Sequence, residues 1–145
     1  MKKVLILILI LLSLNSYSQT RKENWTRLGL FTGSIVLNAV GDGLNDSGNK
    51  EWGHLCNAAS IGLTLSIPLI IKVDKDNWYC YLLEYMFIRF AIFDYTYNMT
   101  RGLPYDYIGD SSSYDKALGS QEHLIFPKTL SLTVGIAINF QQFKR

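Results

Sequence analysis

Residues 54–71, HLCNAASIGLTLSIPLII, decide the fold class of this chain, because this apolar segment carries no acidic or basic side chain after His54. Its length of 18 residues approaches the roughly 20 residues that an α-helix needs to cross the hydrocarbon of a bilayer. Further apolar stretches occupy 28–40, 78–98 and 123–140, and the charged residues collect between them. We therefore predict an all-α fold, a small membrane-embedded bundle of about four helices, with a periplasmic helical bundle docked on the membrane surface as an alternative, since the stretches are at or below the usual spanning length.

A strand interpretation of two of these stretches competes with the helical one. Residues 60–69 alternate small or polar side chains with apolar ones, and residues 129–140 repeat the pattern. A period of two is typical of strands, so a small outer-membrane β-barrel is the alternative fold. Residues 78–98 do not alternate, since they are apolar on both faces. We favour helices, with 129–140 as the stretch that most resembles a strand.

The N-terminus resembles an export signal. Lys2 and Lys3 precede a short apolar run at 4–12, and Ser16 and Ser18 supply small residues at a cleavage site before Gln19. The predicted domains are therefore a signal peptide, 1–18, and a single helical membrane domain, 19–145. This organisation predicts a cell-envelope location, in the inner rather than the outer membrane, with an uncleaved N-terminal anchor as the alternative.

The charge balance bears on the partners of the domain. Cleavage after Ser18 removes 18 of the 145 residues and leaves 127, with 12 basic and 12 acidic side chains. A formally neutral domain without a basic stripe lacks the signature of a nucleic-acid-binding protein. We expect membrane lipid and no nucleic acid as the partner, and the sequence leaves any cofactor and any protein partner unknown.

The two cysteines, Cys56 and Cys80, could form a disulfide in an oxidising compartment. Short turns near residues 48 and 74 predict antiparallel neighbouring helices, which places the two thiols about 20 Å apart along the helix axis. A disulfide needs Cα atoms within about 7 Å. We therefore expect two free thiols.

Polar side chains recur at helical spacing within the apolar stretches. Ser34, Asn38, Asp42 and Asp46 follow one another every fourth residue, and Asn57, Ser60 and Thr64 share a face of the next helix. The two predicted turns bring several of these residues to one end of the bundle. The candidate polar cluster at this end consists of Asp42, Asp46, His54, Asn57, Asp94, Asn98 and Arg101.

The polar cluster has a chemical interpretation and a structural one. Asp42, Asp46 and His54 have the composition of a divalent metal site that activates a water molecule. Asp and Asn also collect at helix ends for local reasons, because their side chains satisfy backbone groups there. We favour the structural interpretation and assign no metal. For Asp94, Asn98 and Arg101 the corresponding structural interpretation is a salt bridge that pins the following loop.

The loop at 99–122 combines aromatic, acidic and hydroxyl residues. A loop this long without a helix or strand of its own is uncommon unless it is functional or disordered, and its tyrosines argue against disorder. It could bind a sugar or a lipid headgroup by stacking and hydrogen bonding, or form an ordered cap. The candidate binding loop residues are Tyr105, Asp106, Tyr107, Asp110, Tyr114 and Asp115.

No motif in the chain is specific enough to name a reaction, so catalytic residues are not assigned. The predicted function is that of a structural or interaction component of the envelope membrane. The alternative is a membrane-embedded enzyme or headgroup-binding protein that uses the polar cluster. Topology stays open, because the basic residues lie at the end that export of the N-terminus would place outside, the reverse of the positive-inside rule.

Overall fold

The computed structural model describes residues 21–71, 78–105, 107–108 and 124–141, and these segments contain four α-helices and no strand. The helices are α1 (Arg21–Asp46), α2 (Lys50–Ile70), α3 (Trp78–Thr100) and α4 (Ile125–Gln141). The all-α prediction with four helices is confirmed. The strand interpretation of 60–69 and 129–140 is wrong, since these residues lie within α2 and α4.

The period-two pattern at 60–69 has a helical explanation. Ser60 and Thr64 are one turn apart, and the hydroxyls of both contact the Ser34 hydroxyl of α1, at 3.1 and 2.6 Å. These hydroxyl residues therefore line the face of α2 that approaches α1, while Ile61 and Leu65, which each follow one of them, are exposed. Half of the alternation thus comes from residues that recur at helical spacing on that face, whereas Ser66 bonds to Leu63 within its own helix and a Cβ at Gly62 would meet nothing within 4 Å.

The turn between α1 and α2 follows from Gly48, which has a φ of +88°. This left-handed conformation costs glycine no steric clash. The amide of Asn49 donates to the Leu44 carbonyl at 2.8 Å and the Gly48 amide donates to the Asn45 carbonyl at 3.1 Å. These two bonds form the Schellman motif that ends a helix. The predicted turn near residue 48 is confirmed, and the predicted turn near 74 lies outside the described residues.

Helix α1 lies at the centre of the packing, against α2 on one side and α3 on the other, and α4 packs mainly on α3. Successive helices alternate in direction, so that α1 is antiparallel to α2 and α3 is antiparallel to α4. Our sequence argument treated α2 and α3 as direct neighbours. In the described chain Phe31 of α1 bridges them instead, by packing with Ile67, Ile71 and Tyr81.

The backbones of α1 and α2 approach each other closely at a pair of glycines. A Cβ atom added to Gly41 would lie 2.8 Å from the Gly53 carbonyl oxygen, and one added to Gly53 would lie 2.7 Å from the Gly41 carbonyl oxygen. Near the middle of the same interface Ser60 Oγ donates to the Ser34 carbonyl at 2.7 Å. Small residues let the helices approach, and the hydroxyls join them.

The interior of the bundle contains polar and charged side chains beside its apolar core, which includes Ile35, Ile88 and Ala91. The buried polar or charged residues are Asn24, Arg27, Ser34, Ser60, Glu84, Asn98, Lys128, Ser131 and Asn139. On α2, by contrast, Leu65 is 66% exposed and Leu69 is 86% exposed. Lys, Arg and Glu are rarely buried in soluble proteins, whereas Leu and Ile usually are.

Among the residues that the structure describes, α2 is the one helix whose length and composition suit a membrane crossing. The most apolar 18 residues of α2 have a mean hydropathy of 1.3, and 17% of these residues are buried within the protein. A shorter apolar helix covers Ile125–Phe140.

Both cysteines are free thiols, in agreement with the sequence argument. Cys80 is buried against Val134 and Ile138, and Cys56 is half-buried.

The close glycine contact gives a prediction for stability. We expect Gly53→Ala to destabilise the protein by about 1–3 kcal/mol, the usual cost of overpacking a well-packed interface. Gly62→Ala is the matched control in the same helix, because a Cβ atom there meets nothing within 4 Å. Alanine is the better helix former, so the control should be neutral or stabilising by up to about 1 kcal/mol. Thermal unfolding of both variants in detergent is the measurement, and equal midpoints would contradict the close approach.

Candidate functional site

A hydrogen-bonded chain of side chains joins three helices at the end of the bundle that holds the predicted polar cluster. Asn57 Nδ2 donates to Asp42 Oδ1 at 2.9 Å, and Asn57 Oδ1 accepts from Asn38 Nδ2 at 3.1 Å. Arg89 Nη1 then donates to Asn38 Oδ1 at 2.6 Å. The structure thus brings Asp42 and Asn57 together and adds Arg89 of α3, which the sequence argument did not include.

Asp46 belongs to a second, more exposed group. The Tyr97 hydroxyl donates to Asp46 Oδ2, and Arg101 Nη1 donates to the Tyr97 hydroxyl at 3.0 Å. Tyr97 thus connects the Asp46 carboxylate to the Arg101 guanidinium at the last turn of α3.

Asp94 pairs with a residue of α4. Lys128 Nζ lies 2.6 Å from Asp94 Oδ2 and 3.2 Å from the Phe90 carbonyl oxygen, and it faces the Tyr95 ring at 4.8 Å. The sequence argument grouped Asp94 with Arg101 as a salt bridge, and that pairing is wrong. Arg101 lies two helical turns further along and bonds Tyr97, whereas antiparallel α4 brings Lys128 level with Asp94.

Asn98 holds the beginning of the long loop. Its buried Nδ2 donates to the backbone carbonyls of Tyr105 and Tyr107, at 3.2 and 2.7 Å. A cavity of about 20 Å³ lies beside these residues, between Tyr95 and Lys128. A cavity of this size has room for about one water molecule. Tyr105 and Tyr107 are exposed, and the other candidate loop residues, Asp106, Asp110, Tyr114 and Asp115, lie outside the described residues.

The metal-site composition noted in the sequence does not correspond to a metal site in the described chain. His54 is exposed, while Asp42 and Asp46 bond to Asn57 and Tyr97. Within residues 21–71, 78–105, 107–108 and 124–141 no group of three His, Cys, Asp or Glu side chains is arranged to hold a metal ion. His54 misses the cluster because it directly follows Gly53, the residue that faces α1.

A fully buried ion pair at the opposite end was missed by the sequence argument. Arg27 Nε of α1 lies 2.8 Å from Glu84 Oε2 of α3, and both side chains have no exposed surface. Asn139 Nδ2 of α4 donates to Glu84 Oε1 at 2.6 Å and to the Asn24 carbonyl at 3.1 Å. The Arg27 guanidinium also lies 4.8 Å from the centre of the Tyr81 ring. This junction cluster is defined as Asn24, Arg27, Glu84 and Asn139.

One sequence signal for the junction cluster existed. Glu84 is the first charged residue after the start of the apolar 78–98 stretch, and an ionisable residue in such a stretch calls for a partner inside the bundle. The partner could not be named, because Arg27 and Asn139 meet Glu84 only when the start of α1 and the end of α4 are adjacent.

A groove between α3 and α4 has a volume of about 380 Å³ and is the larger cavity near these clusters. Its lining is almost entirely apolar: Leu83, Met86, Phe87, Phe90, Pro127, Leu130, Ser131 and Val134. The Ser131 hydroxyl already donates to the Phe87 carbonyl at 2.9 Å. The groove therefore lacks the converging polar groups that orient a substrate in an enzyme pocket.

The chain matches no protein-family model, no curated protein and no solved structure.

The buried ion pair gives a second prediction. Arg27→Met removes the countercharge of Glu84, and breaking a buried pair in this way costs about 3–5 kcal/mol. The double variant Arg27→Met/Glu84→Leu removes both charges and should recover most of that loss. Chemical unfolding of the three proteins in detergent measures the difference. A double variant less stable than the single one would contradict an energetic coupling between these two side chains.

Proposed function

We propose that this chain is a small helical membrane protein of the cell envelope that acts as a structural or interaction component rather than as an enzyme. The observation that carries the proposal is that charged and amide side chains are buried inside the bundle while the large apolar side chains of one face of α2 are exposed. Water penalises that arrangement on both counts, whereas a bilayer favours it.

The outer surface supports a lipid environment. Leu55, Ile61, Leu65 and Leu69 form an exposed apolar face along α2, and Met86 and Phe126 extend exposed apolar surface over α3 and α4. Monomeric soluble proteins rarely expose apolar patches of this extent. Lipid tails would cover this surface without a protein partner.

The interior supports the same environment. Arg27, Glu84 and Lys128 are buried with partners, and Arg89 is half-buried against Asn38 and the Phe93 ring. Ionisable residues within membrane helices face the bundle interior and pair with one another or with backbone carbonyls. Hydroxyl bonds such as Ser34 to Thr64 and small-residue contacts such as Gly41 to Gly53 are typical of helix packing in lipid.

Helix lengths and aromatic positions agree with a bilayer. At about 1.5 Å per residue, the 21 residues of α2 extend roughly 31 Å, close to the thickness of a hydrocarbon core. Exposed Trp25 and Trp78 lie at one end of the bundle and exposed Trp52 and Tyr105 lie at the other. Such aromatic residues favour the two membrane interfaces.

A scaffold role is favoured over catalysis by how the polar end is arranged. Asp42, Asp46 and Asp94 each bond to a neighbouring helix, and Asn98 bonds to the loop backbone. These bonds stabilise the helix packing and the loop. Location in the envelope rests on the signal-like sequence at 1–18, and the inner membrane is proposed because helices rather than a barrel form the domain.

The alternative, a membrane-embedded enzyme or headgroup-binding protein, draws its support from the exposed Asp46, Arg101, Tyr105 and Tyr107 at the polar end. These residues adjoin the candidate binding loop and could contact a polar headgroup at the membrane surface.

If α2 faces lipid, one substitution on its exposed surface should reduce the stability of the protein far more than a surface substitution usually does. Leu65→Arg should reduce stability by about 2.5–3.5 kcal/mol if α2 faces lipid near the bilayer centre. The same change on a water-exposed surface is usually within about 0.5 kcal/mol of neutral. Met99→Arg is the control, since Met99 is 69% exposed at the polar end of the bundle. Membrane-fraction yield and thermal midpoint in lipid nanodiscs measure the effect.

Equal, small effects of Leu65→Arg and Met99→Arg would reject a lipid-facing α2. Extraction of the whole protein from membranes by alkaline carbonate would reject integration as well.

The scaffold role predicts how cellular abundance and phenotype are linked. Asp94→Ala leaves the buried Lys128 amine without its carboxylate, and Asp42→Ala removes an acceptor from Asn57, so both should lower abundance and thermal midpoint together with any deletion phenotype. Exposed His54→Ala is the control and should change neither. Normal abundance of Asp42→Ala or Asp94→Ala with loss of the phenotype would favour the enzyme or headgroup-binding alternative.

A further inference from the structure

The junction cluster contains buried polar atoms that protein groups leave unsatisfied. Asn24 and Asn139 have no exposed surface. In the described part of the chain, neither Asn24 Nδ2 nor Asn24 Oδ1 has a hydrogen-bond partner, and Asn139 Oδ1 has none either. The Asn139 side chain contacts residue 24 directly, because Asn139 Nδ2 donates to the Asn24 backbone carbonyl at 3.1 Å.

Three such atoms in one place require an explanation. Each buried donor or acceptor without a partner costs about 1–3 kcal/mol, and the great majority of buried polar atoms in proteins are paired with protein or ordered water. The other polar atoms of the cluster are well satisfied, since Glu84 accepts from both Arg27 and Asn139. Within the junction cluster, the side-chain atoms that lack hydrogen-bond partners are therefore those of the Asn24 amide and the Asn139 carbonyl oxygen.

The chemistry of the unsatisfied atoms selects the ligand. A cation would suit the two carbonyl oxygens but would be repelled by the Asn24 NH2 group and by Arg27. An anion would suit the NH2 group but not the two carbonyl oxygens or the Glu84 carboxylate. A neutral molecule that both donates and accepts hydrogen bonds satisfies all of them, and water is the smallest such molecule.

We propose that the junction cluster is an internal water-binding site, in which an ordered water molecule bridges Asn24 and Asn139 beside the Arg27–Glu84 pair. The water accepts from Asn24 Nδ2 and donates to Asn139 Oδ1, and a second water extends the bridge to Asn24 Oδ1. The site lies beside a buried ion pair and joins the first turns of α1 to the last turns of α4. It stands independently of the proposed membrane role.

Nuclear magnetic resonance of the full chain in detergent micelles tests the proposal, with 15N in the asparagine side chains. Cross-relaxation between water and the Asn24 and Asn139 NH2 groups should have the sign of an immobilised water molecule. Asn38 is the control, because both polar atoms of its side chain have protein partners: Nδ2 donates to Asn57 Oδ1, and Oδ1 accepts from Arg89. We expect at least several-fold weaker cross-relaxation at Asn38.

Asn24→Leu provides a second arm, since it removes one side of the bridge and fills its space with apolar atoms. The water signal at Asn139 should fall several-fold in this variant, while the Asn139 NH2 resonance keeps the shift that its bond to Glu84 produces. Absence of the water signal at both asparagines of the unaltered protein would overturn the proposal, whether or not the variant folds. An unchanged signal at Asn139 in Asn24→Leu would overturn the shared bridge.

Discussion

The ion pair between Arg27 and Glu84 is the constraint on which the arrangement of α1, α3 and α4 depends. Both charges are fully buried at 2.8 Å, and such a pair offsets its desolvation only when its geometry is good and its other hydrogen-bonding positions are satisfied. Asn139 satisfies Glu84 from the third helix. A sideways or axial shift of any of the three helices would break this geometry, so the pair fixes their relative register as well as their contact.

Helix α2, which takes no part in the ion pair, is held by a different kind of interaction. Between α1 and α2 the backbones approach at Gly41 and Gly53, and serine and threonine hydroxyls join the helices near the middle of the interface. This interface needs no charge, because close packing and hydroxyl bonds are enough where side chains are small. The bundle thus combines a polar junction that sets register with a small-residue interface that sets distance. At the polar end, hydrogen bonds from Asn57 of α2 to Asn38 of α1, and from Asn38 to Arg89 of α3, link these two parts of the bundle.

Local features of the fold could be read from the sequence, and long-range ones could not. Ser34, Asn38 and Asp42 are spaced four residues apart, and this spacing identified the face of α1 that contacts α2. The turn at Gly48 determined the antiparallel pairing of the two helices. The partner of Asp94 could not be predicted from the sequence, because the pairing with Lys128 rather than Arg101 depends on where α4 packs after a long connection. The same connection decides that Asn139 reaches Glu84. At 129–140 the small residues mimicked a strand, since hydropathy alone does not separate a strand's polar side from a helix face adapted for packing.

The junction between the two ends of the domain also constrains the order in which the protein can be assembled. Arg27 precedes Glu84 by 57 positions and Asn139 by 112. During synthesis the guanidinium emerges long before the carboxylate that neutralises it, while the α1–α2 hairpin has its glycine and hydroxyl contacts as soon as residue 64 is made. The hairpin can therefore form first, with its guanidinium uncompensated until residue 84 is made. Asn139 follows much later and supplies the last hydrogen bond to Glu84, so the helices join in the order in which they are synthesised.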